Sequence, residues 1–522
     1  MPIVPIRGLG SGGIVQDTAA VLLEPNVFSD GRNVKFDDGS VRKRLGHTQI
    51  LPDLTDTDTT TLANPHFGLH WPRPDTRYNI YASPTEVWRM NQAGNLSSIY
   101  TTATAGSRWH GSLFTGGYAV VMNNTVDIPV YSLYDGLGTL QDTTLVALPN
   151  WNYTANTEIR AGVVRAYRNF LVAGDISSTF NNVVTRAPGT LRISSAAAAG
   201  QIPQNWQPGA LGQRDSADEL ELSQTEAIID MAPLRGNLFV YTGDSIHSIS
   251  IGSNFTNVSD YASGYGCLAI DCVASFDGQH FVVDRNDMYI HAGSGQVQSV
   301  IDGRNRKYFY DNLNQDHFEN TFVSVNRAQD EIWVCFPNLS ANGQGDCNEA
   351  LVWNYRDNTW TIYDIPNARA GFEGPMVRND LFQLAEEKLV LVSRNDSRFY
   401  AMDEGNTFNG ANFLAFVERK RTVAQADGSS KWLGQFYPIF DAGTSSTAIT
   451  ISLRGQNTFV QDISFTDRTT DVNIFNPQDT DRGYKIDPRT SGRLINYRIE
   501  TEDENTWVLS GISVMVEEED KR

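Results

Sequence analysis

The chain has 522 residues, of which 40% are hydrophobic and 20% charged, and this composition indicates a folded protein of more than one domain. Its 61 acidic residues outnumber its 41 basic ones, and the net charge of −20 argues against a surface that grips nucleic acid throughout, because affinity for phosphate comes mainly from Lys and Arg. The many aromatic residues and 43 glycines favour β structure. No long apolar segment or signal peptide is evident, so we expect a soluble protein made in a cytoplasm.

The first predicted element is a basic hairpin, GRNVKFDDGSVRKR, at residues 31–44. Val34 and Phe36 alternate with polar neighbours, and Asp38-Gly39 is typical of a two-residue turn. Its positive charges could contact nucleic acid or a protein neighbour, or they could keep a strand edge solvated and block aggregation. The basic residues are Arg32, Lys35, Arg42, Lys43 and Arg44.

The middle of the chain repeats one pattern, in which an apolar strand ends at a polar turn and a second strand with aromatic residues follows. Copies recur roughly every 40 to 70 residues, and a four-stranded unit at such spacing is typical of a β-propeller blade. We predict an all-β protein whose residues 61–408 form a propeller of six to eight blades. A series of β-sandwiches is the alternative, but it favours turns at shorter spacing. The copies begin near Tyr78, Tyr118, Phe170, Leu238, Phe281, Ile332 and Leu389.

Two segments interrupt the repeats. Residues 176–225 include SSAAAAGQIPQNWQPGALGQ, which has little apolar periodicity, and they predict an extended surface loop. Residues 337–348, PNLSANGQGDCN, predict a shorter excursion inside one blade.

The C-terminal residues 409–522 predict longer antiparallel strands with clear alternation. In AITISLRG, for example, Ile449, Ile451 and Leu453 face one way. Because terminal strands often pair, residues 1–60 are expected to complete the same β platform domain. This region also carries a second basic cluster, Arg419, Lys420 and Arg421.

The sequence lacks the motifs of common catalytic and cofactor sites. Its four cysteines form no C-x-x-C pair and have no clustered histidines nearby, so we expect buried thiols rather than a zinc site. Carboxylates such as Asp284, Asp287, Asp396 and Asp403 lie at predicted turns, where Asp is expected for backbone reasons. We therefore predict no enzyme activity, no cofactor and no metal.

Three segments in order carry a resemblance. EPNVFSDGRNVKFDDGSVRKRLG (24–46) closely resembles the N-terminal segment of tail nozzle proteins, or tail tubular protein B-like proteins, of short-tailed bacteriophages (podoviruses). LRISSAAAAGQIPQNW (191–206) is similar to a further segment of that family, although Ser194 stands where tryptophan is common. SGRLINYRIETEDENTWVLSG (491–511) resembles the family's closing module.

The resemblance implies a structural subunit of the virion at the tail tip, assembled in the host cytoplasm. Such subunits form rings of six copies below the head–tail adaptor. The rings retain packaged DNA and conduct it during ejection without sequence specificity. Tail fibres, spikes or tail needle proteins dock on them. The acidic balance agrees with a channel that repels phosphates. In that setting both basic clusters could contact the adaptor or a neighbouring subunit, or line a ring around DNA.

A second function class is compatible with the same sequence. Carbohydrate-binding or carbohydrate-cleaving propellers act on cell-surface glycans, and some use paired carboxylates. A generic propeller scaffold for protein partners is a third possibility.

Overall fold

The computed structural model describes most of the chain. The described residues are 3–50, 64–72, 77–91, 96–105, 108–134, 144–209, 217–222, 226–252, 256–378, 381–423, 429–458, 463–465, 472–479, 481, 484–488 and 490–518. Their regular structure is nearly all β. One α-helix, α1 (Arg306–Asn312), and short 3₁₀ turns at Ala20–Leu22, Thr115–Gly117, Phe318–Asn320 and Arg327–Gln329 complete it. None of the described helices is long and apolar enough to cross a membrane.

The N-terminal strands precede the repeats. They are β1 (Ile3–Arg7), β2 (Asp30–Arg32), β3 (Val34–Asp37), β4 (Ser40–Lys43) and β5 (His47–Gln49).

Four-stranded antiparallel sheets follow in chain order. The first three are β6 (Phe67–Pro72), β7 (Arg77–Ala82), β8 (Glu86–Met90) and β9 (Leu96–Thr101); β10 (His110–Phe114), β11 (Ala119–Asn123), β12 (Val130–Leu133) and β13 (Val146–Ala147); and β14 (Thr157–Tyr167), β15 (Phe170–Phe180), β16 (Val183–Ile193) and β17 (Asp218–Glu221). The next two are β18 (Asp230–Leu234), β19 (Asn237–Tyr241), β20 (Ser245–Ile251) and β21 (Thr256–Ser263); and β22 (Val273–Phe276), β23 (Gln279–Val283), β24 (Met288–His291) and β25 (Gln298–Ser299).

The last two blades share one long strand. β26 (Phe322–Asn326), β27 (Glu331–Phe336) and β28 (Cys347–Asn354) pair with the first half of β29 (Thr359–Arg378). The second half of β29 pairs with β30 (Leu381–Ser393), followed by β31 (Arg398–Met402) and then β5. The described strands therefore form seven units of four strands.

The seven units close into a ring. Their first strands contact one another in cyclic order, from β6 through β10, β14, β18, β22 and β26 to the second half of β29, which returns to β6. Each sheet buries both faces against its neighbours, and apolar side chains such as Phe281, Trp353 and Trp360 pack between them. The predicted all-β propeller is confirmed.

The ends of the chain pair in two further sheets. The C-terminal strands are β32 (Ala415–Val423), β33 (Lys431–Phe440), β34 (Ile449–Gln456), β35 (Val472–Phe475), β36 (Thr490–Gly492), β37 (Leu494–Thr501) and β38 (Val508–Glu518). One sheet has the order β3-β4-β38-β33-β36, with β1 also on β38, and the other has the order β2-β32-β37-β34-β35. A common apolar core, which includes Phe36, Phe436 and Trp507, lies between them. We call this unit the terminal domain.

The assignment of all of residues 1–60 to the terminal domain needs a correction. β5 instead forms the outer strand of the last blade, with His47 opposite Met402 and Gln49 opposite Tyr400. The His47 ring stacks on Phe408 and meets Tyr400 edge-on, and these ring contacts hold the strand in place. Residues 51–60 lie outside the described part of the chain.

The interpretation of residues 176–225 as one long loop is also wrong. β15 and β16 run through Phe180 and Ile193 as a hairpin, and β17 returns to the sheet. Asn181 and Asn182 both have positive φ (50° and 63°), as a two-residue hairpin turn requires. Residues 194–209 form most of the described part of the connection between β16 and β17. Trp206 of this segment is buried in the apolar core. The segment 337–346 connects β27 and β28.

The buried polar groups of the propeller include several that titrate. All four cysteines are buried thiols, as predicted, and no cluster of three potential metal ligands occurs among the described residues. Burial lowers the pKa of His66, His110 and His291 to about 3, and that of His280 to about 4. These histidines are therefore neutral in the folded protein at pH values where the unfolded chain takes up protons.

We expect the free energy of unfolding to fall as the pH drops from 6.5 to 5. The unfolded state binds a proton below its ordinary pKa of about 6.5, whereas the folded state does not until about pH 3–4, so each such histidine costs up to about 1.4 kcal/mol per pH unit. Urea unfolding at pH 8, 6.5, 5.75 and 5 measures the slope. The variant His280→Gln removes one titration and should flatten it. A stability that stays constant from pH 6.5 to 5 would contradict the prediction.

Candidate functional site

The basic hairpin predicted at residues 31–44 forms β3 and β4. Val34 lies opposite Lys43 and Asp37 opposite Ser40, and the turn is Asp38-Gly39 with φ of 48° and 74°. The predicted hairpin and its turn are confirmed. β4 also pairs with β38 of the terminal domain, so the hairpin is an integral part of that sheet.

The residues around Arg32 attach the hairpin to the propeller. The guanidinium of Arg32 is 2.9 Å from the Glu349 carboxylate and also pairs with Asp364 on β29. Asn33 donates from Nδ2 to Asp364 Oδ2 (2.8 Å) and accepts from the Asp364 backbone N–H (2.9 Å). Asn33 has φ +57°, a conformation that Asn tolerates better than most residues, and it lets the chain turn toward β29.

Arg44 and Lys35 converge on one buried acid of the propeller, Glu331. The side chain of Arg44 is fully buried, pairs with Glu331 and donates from Nε to Asp403 Oδ1 (2.8 Å). Burial opposes the charge of Arg44, but Asp403 and Glu331 outweigh it and hold the pKa above its ordinary value. The Lys35 ammonium is 3.6 Å from Glu331. We call Arg44, Glu331 and Asp403 the buried triad.

Aromatic rings enclose the buried triad. The guanidinium of Arg44 lies 4.5 Å from the Trp333 ring centroid and 5.1 Å from that of Tyr363. Trp333 Nε1 also donates to Glu331 (3.0 Å), and the Tyr363 hydroxyl donates to the Leu45 carbonyl (2.7 Å). The rings cover the charges that join the hairpin to the last two blades, and of the three side chains only Asp403 keeps appreciable exposure, at 11%.

The two remaining basic residues of the hairpin differ in environment. Lys43 is buried over the Phe413 ring at 4.4 Å and donates to the Asp503 carbonyl. Burial lowers its pKa, while Asp503 and Glu504 act in the opposite sense. Arg42 keeps 40% of its side chain exposed and pairs with Asp37 across the same hairpin.

The second basic cluster lies at a β-bulge of β32, where the register with β37 shifts between Arg419 and Thr422. Arg419 is buried and donates to the carbonyls of Ala20 and Leu23, so it holds the N-terminal 3₁₀ turn. Burial lowers its pKa. Lys420 is half-buried and lies 3.1 Å from Glu418, and the backbone N–H of Arg421 donates to Asn496 (2.8 Å).

The structure thus separates the eight predicted contact residues into three groups. Four are buried in contacts within the chain and cannot serve an external partner without unfolding: Lys35, Lys43, Arg44 and Arg419. Arg32 is partly exposed but also paired with the propeller. Arg42, Lys420 and Arg421 are only half-buried and remain candidates for an external contact.

Sequence reasoning did not identify the acidic partners of these residues. Asp403 was expected only as a turn residue, and it has the positive φ of 56° that such a turn uses. Glu331 offered one signal, because it begins the otherwise apolar strand EIWVCF. A carboxylate in such a strand must be paired when it is buried.

Comparisons with known proteins add little to this geometry. No protein-family model and no curated protein matches the chain. Among solved structures it is similar to the N-terminal domain of Nup159, a chain of the mitotic checkpoint complex and U3-55K, at 10%, 13% and 7% identity. The matches cover 69%, 67% and 66% of this chain and 95%, 98% and 96% of theirs, with TM-scores of 0.36, 0.36 and 0.37. Such scores carry no argument about function.

Proposed function

We propose that this chain is a structural subunit of a bacteriophage tail nozzle ring, without catalytic activity. It would attach below the head–tail adaptor as a homo-hexamer, retain packaged DNA, conduct it during ejection and dock tail fibres, spikes or needle proteins. The observation that carries the proposal is the place of the segment that resembles nozzle proteins, residues 24–46. This segment forms the buried joint between the terminal domain and the propeller.

A buried joint suits a conduit under load. Rigid-body motion between domains is expected where an interface is small and wet, whereas this one places Arg44 between two carboxylates in a buried site. Force applied to the terminal domain by an adaptor would pass to the propeller with little hinge motion. The net charge of −20 per chain would keep passing DNA from adhering.

The external contacts of the ring would use the exposed part of the basic clusters. Arg42 and Lys420 present partly exposed positive side chains on an acidic chain, and such residues steer a protein neighbour into register. Contact with DNA at these residues is the weaker proposal, because the neighbouring carboxylates Asp37 and Glu418 repel phosphate.

Electron microscopy of the purified chain, alone and with its adaptor, tests the proposal. We expect six-fold rings that stack on the adaptor, and no retention on beads that carry cell-surface glycans. The variant Arg42→Glu, at a side chain that is 40% exposed, should fold normally but weaken ring or adaptor binding, and Arg356→Glu, a 74% exposed arginine on the propeller, is the matched control. A chain that stays monomeric with the adaptor and binds or cleaves glycans would instead support the carbohydrate-active alternative.

A further inference from the structure

A cavity of about 310 Å³ lies among the innermost strands of the propeller, close to its axis. It opens beside a larger cavity of about 610 Å³ that shares Arg108, Ile270 and Glu319 with it. The smaller cavity is lined by His66, Arg108, Ile270, Glu319, Asn320 and Arg369.

Four blades supply its polar side chains. Arg369 lies in β29, at the start of the last blade, Arg108 lies two residues before β10, and His66 directly precedes β6. Glu319 and Asn320 lie in the 3₁₀ turn before β26. The closure of the ring between the last and first blades therefore brings together two arginines that are 261 positions apart in the sequence. Both side chains retain 16% exposure, so each is mostly enclosed but reaches open space.

Arg369 has bonding capacity to spare. Its Nε lies 3.2 Å from Asp346 Oδ1, and its side chain lines the cavity. A guanidinium carries five N–H donors, so one ion pair does not use them all. An oxygen-bearing ligand in the cavity could accept from the donors that remain.

Arg108 adds a second positive charge. It donates from Nη1 to the Glu319 carbonyl at 3.1 Å, and its Nη2 lies 3.3 Å from Asp271 Oδ2. Asp271 is shared, because its other oxygen lies 2.9 Å from Arg165. The carboxylate of Glu319 is on an exposed residue at the rim, where water screens it.

The pKa values of two groups that line the cavity reflect its positive potential. Besides burial, Arg108, Arg369 and Arg394 each lower the pKa of His66, which reaches about 3. Burial lowers the pKa of Arg369 as well; Asp346 opposes this effect, and the repulsion of Arg108 and Arg394 adds to it. Like charges held together inside low-dielectric walls favour an anion between them.

We propose that this axial cavity binds a tetrahedral oxyanion of the phosphate or sulfate class, held by Arg369 and Arg108. The volume admits an inorganic ion or a small ester but not a nucleic-acid duplex. Arg is suited to the task, because its planar fork presents paired N–H donors to oxyanions. The site does not depend on the proposed nozzle function.

Isothermal titration calorimetry of the full chain with inorganic phosphate tests the proposal, with sodium chloride at matched ionic strength as the blank and sodium sulfate as the second anion. We expect saturable binding of one ion per chain. Arg369→Gln should weaken it by at least about tenfold, the effect of one charge-assisted hydrogen bond. Arg369→Lys keeps the charge and should retain part of the affinity. Arg356→Gln, at an exposed arginine, should leave it unchanged.

Two outcomes would overturn the proposal. One is the absence of saturable heat with the wild-type chain, which requires no variant to fold. The other is equal phosphate binding by the wild type and Arg369→Gln, which would indicate an adventitious ion only. If Arg369→Gln does not fold, Arg108→Gln takes its place with the same expected loss, and urea unfolding of each variant without phosphate establishes that it is folded.

Discussion

Replacing Arg44 with methionine is expected to lower the free energy of unfolding by about 3–5 kcal/mol. The change leaves Asp403 without its cation, and Glu331 keeps only the Lys35 ammonium at 3.6 Å. The cost arises mainly from buried carboxylates that have lost their guanidinium rather than from the lost contacts. Urea unfolding followed by tryptophan fluorescence measures it, and Trp333 is well placed to report because its ring lies against Arg44.

A control for this prediction lies two residues earlier in the chain. Arg42 pairs with Asp37, but the two side chains are 40% and 34% exposed. Water screens such a pair, so Arg42→Ala should lower the free energy of unfolding by less than about 1 kcal/mol. The double variant Arg44→Met/Asp403→Asn also neutralises the carboxylate that has lost its cation, leaves Glu331 paired with Lys35, and should recover much of the loss. If Arg44→Met were as mild as Arg42→Ala, the buried triad would not be the joint between the two domains.

Replacing Gly46 with alanine is expected to lower the free energy of unfolding by about 3 kcal/mol, through overpacking against rigid backbone. A Cβ on Gly46 would lie 1.9 Å from the Thr407 carbonyl oxygen and 2.5 Å from its carbon. Backbone hydrogen bonds fix this approach, since Gly46 N–H donates to Gly405 (2.8 Å) and its carbonyl accepts from Glu404 (3.1 Å). The substitution therefore pushes β5 away from β31 and opens the last blade.

Hydrogen exchange localises the effect of Gly46→Ala. Amides of β31 that pair with β5 should lose protection, whereas those of a distant blade should keep theirs until global unfolding. Gly343→Ala is the matched control, because a Cβ there meets nothing within 4 Å, and its effect should stay within about 0.5 kcal/mol. Equal stability of the two variants would show that the contact between Gly46 and the Thr407 backbone has room for a side chain.

Local patterns predicted much of the architecture. The recurrence of apolar strands and polar turns predicted the propeller, because each blade repeats the same half-buried pleat. The Asp38-Gly39 turn was predictable for the same reason, since residues within one hairpin determine its geometry. The hairpin of β15 and β16 was missed because its tip is not buried; Phe180, Val183 and Val184 are exposed, so no alternation marks the strand ends.

The sequence by itself determined that this chain is an all-β propeller with long terminal strands and a basic hairpin, because strand periodicity and turn chemistry act over a few residues. Only the tertiary structure decided that β5 closes the ring and that Arg44 meets Glu331 and Asp403. It also decided that Arg108 and Arg369 share one cavity. These partners lie hundreds of residues apart in the sequence, and charges interact through space. The role of each basic residue therefore depends on which acidic side chains and cavities the folded chain places around it.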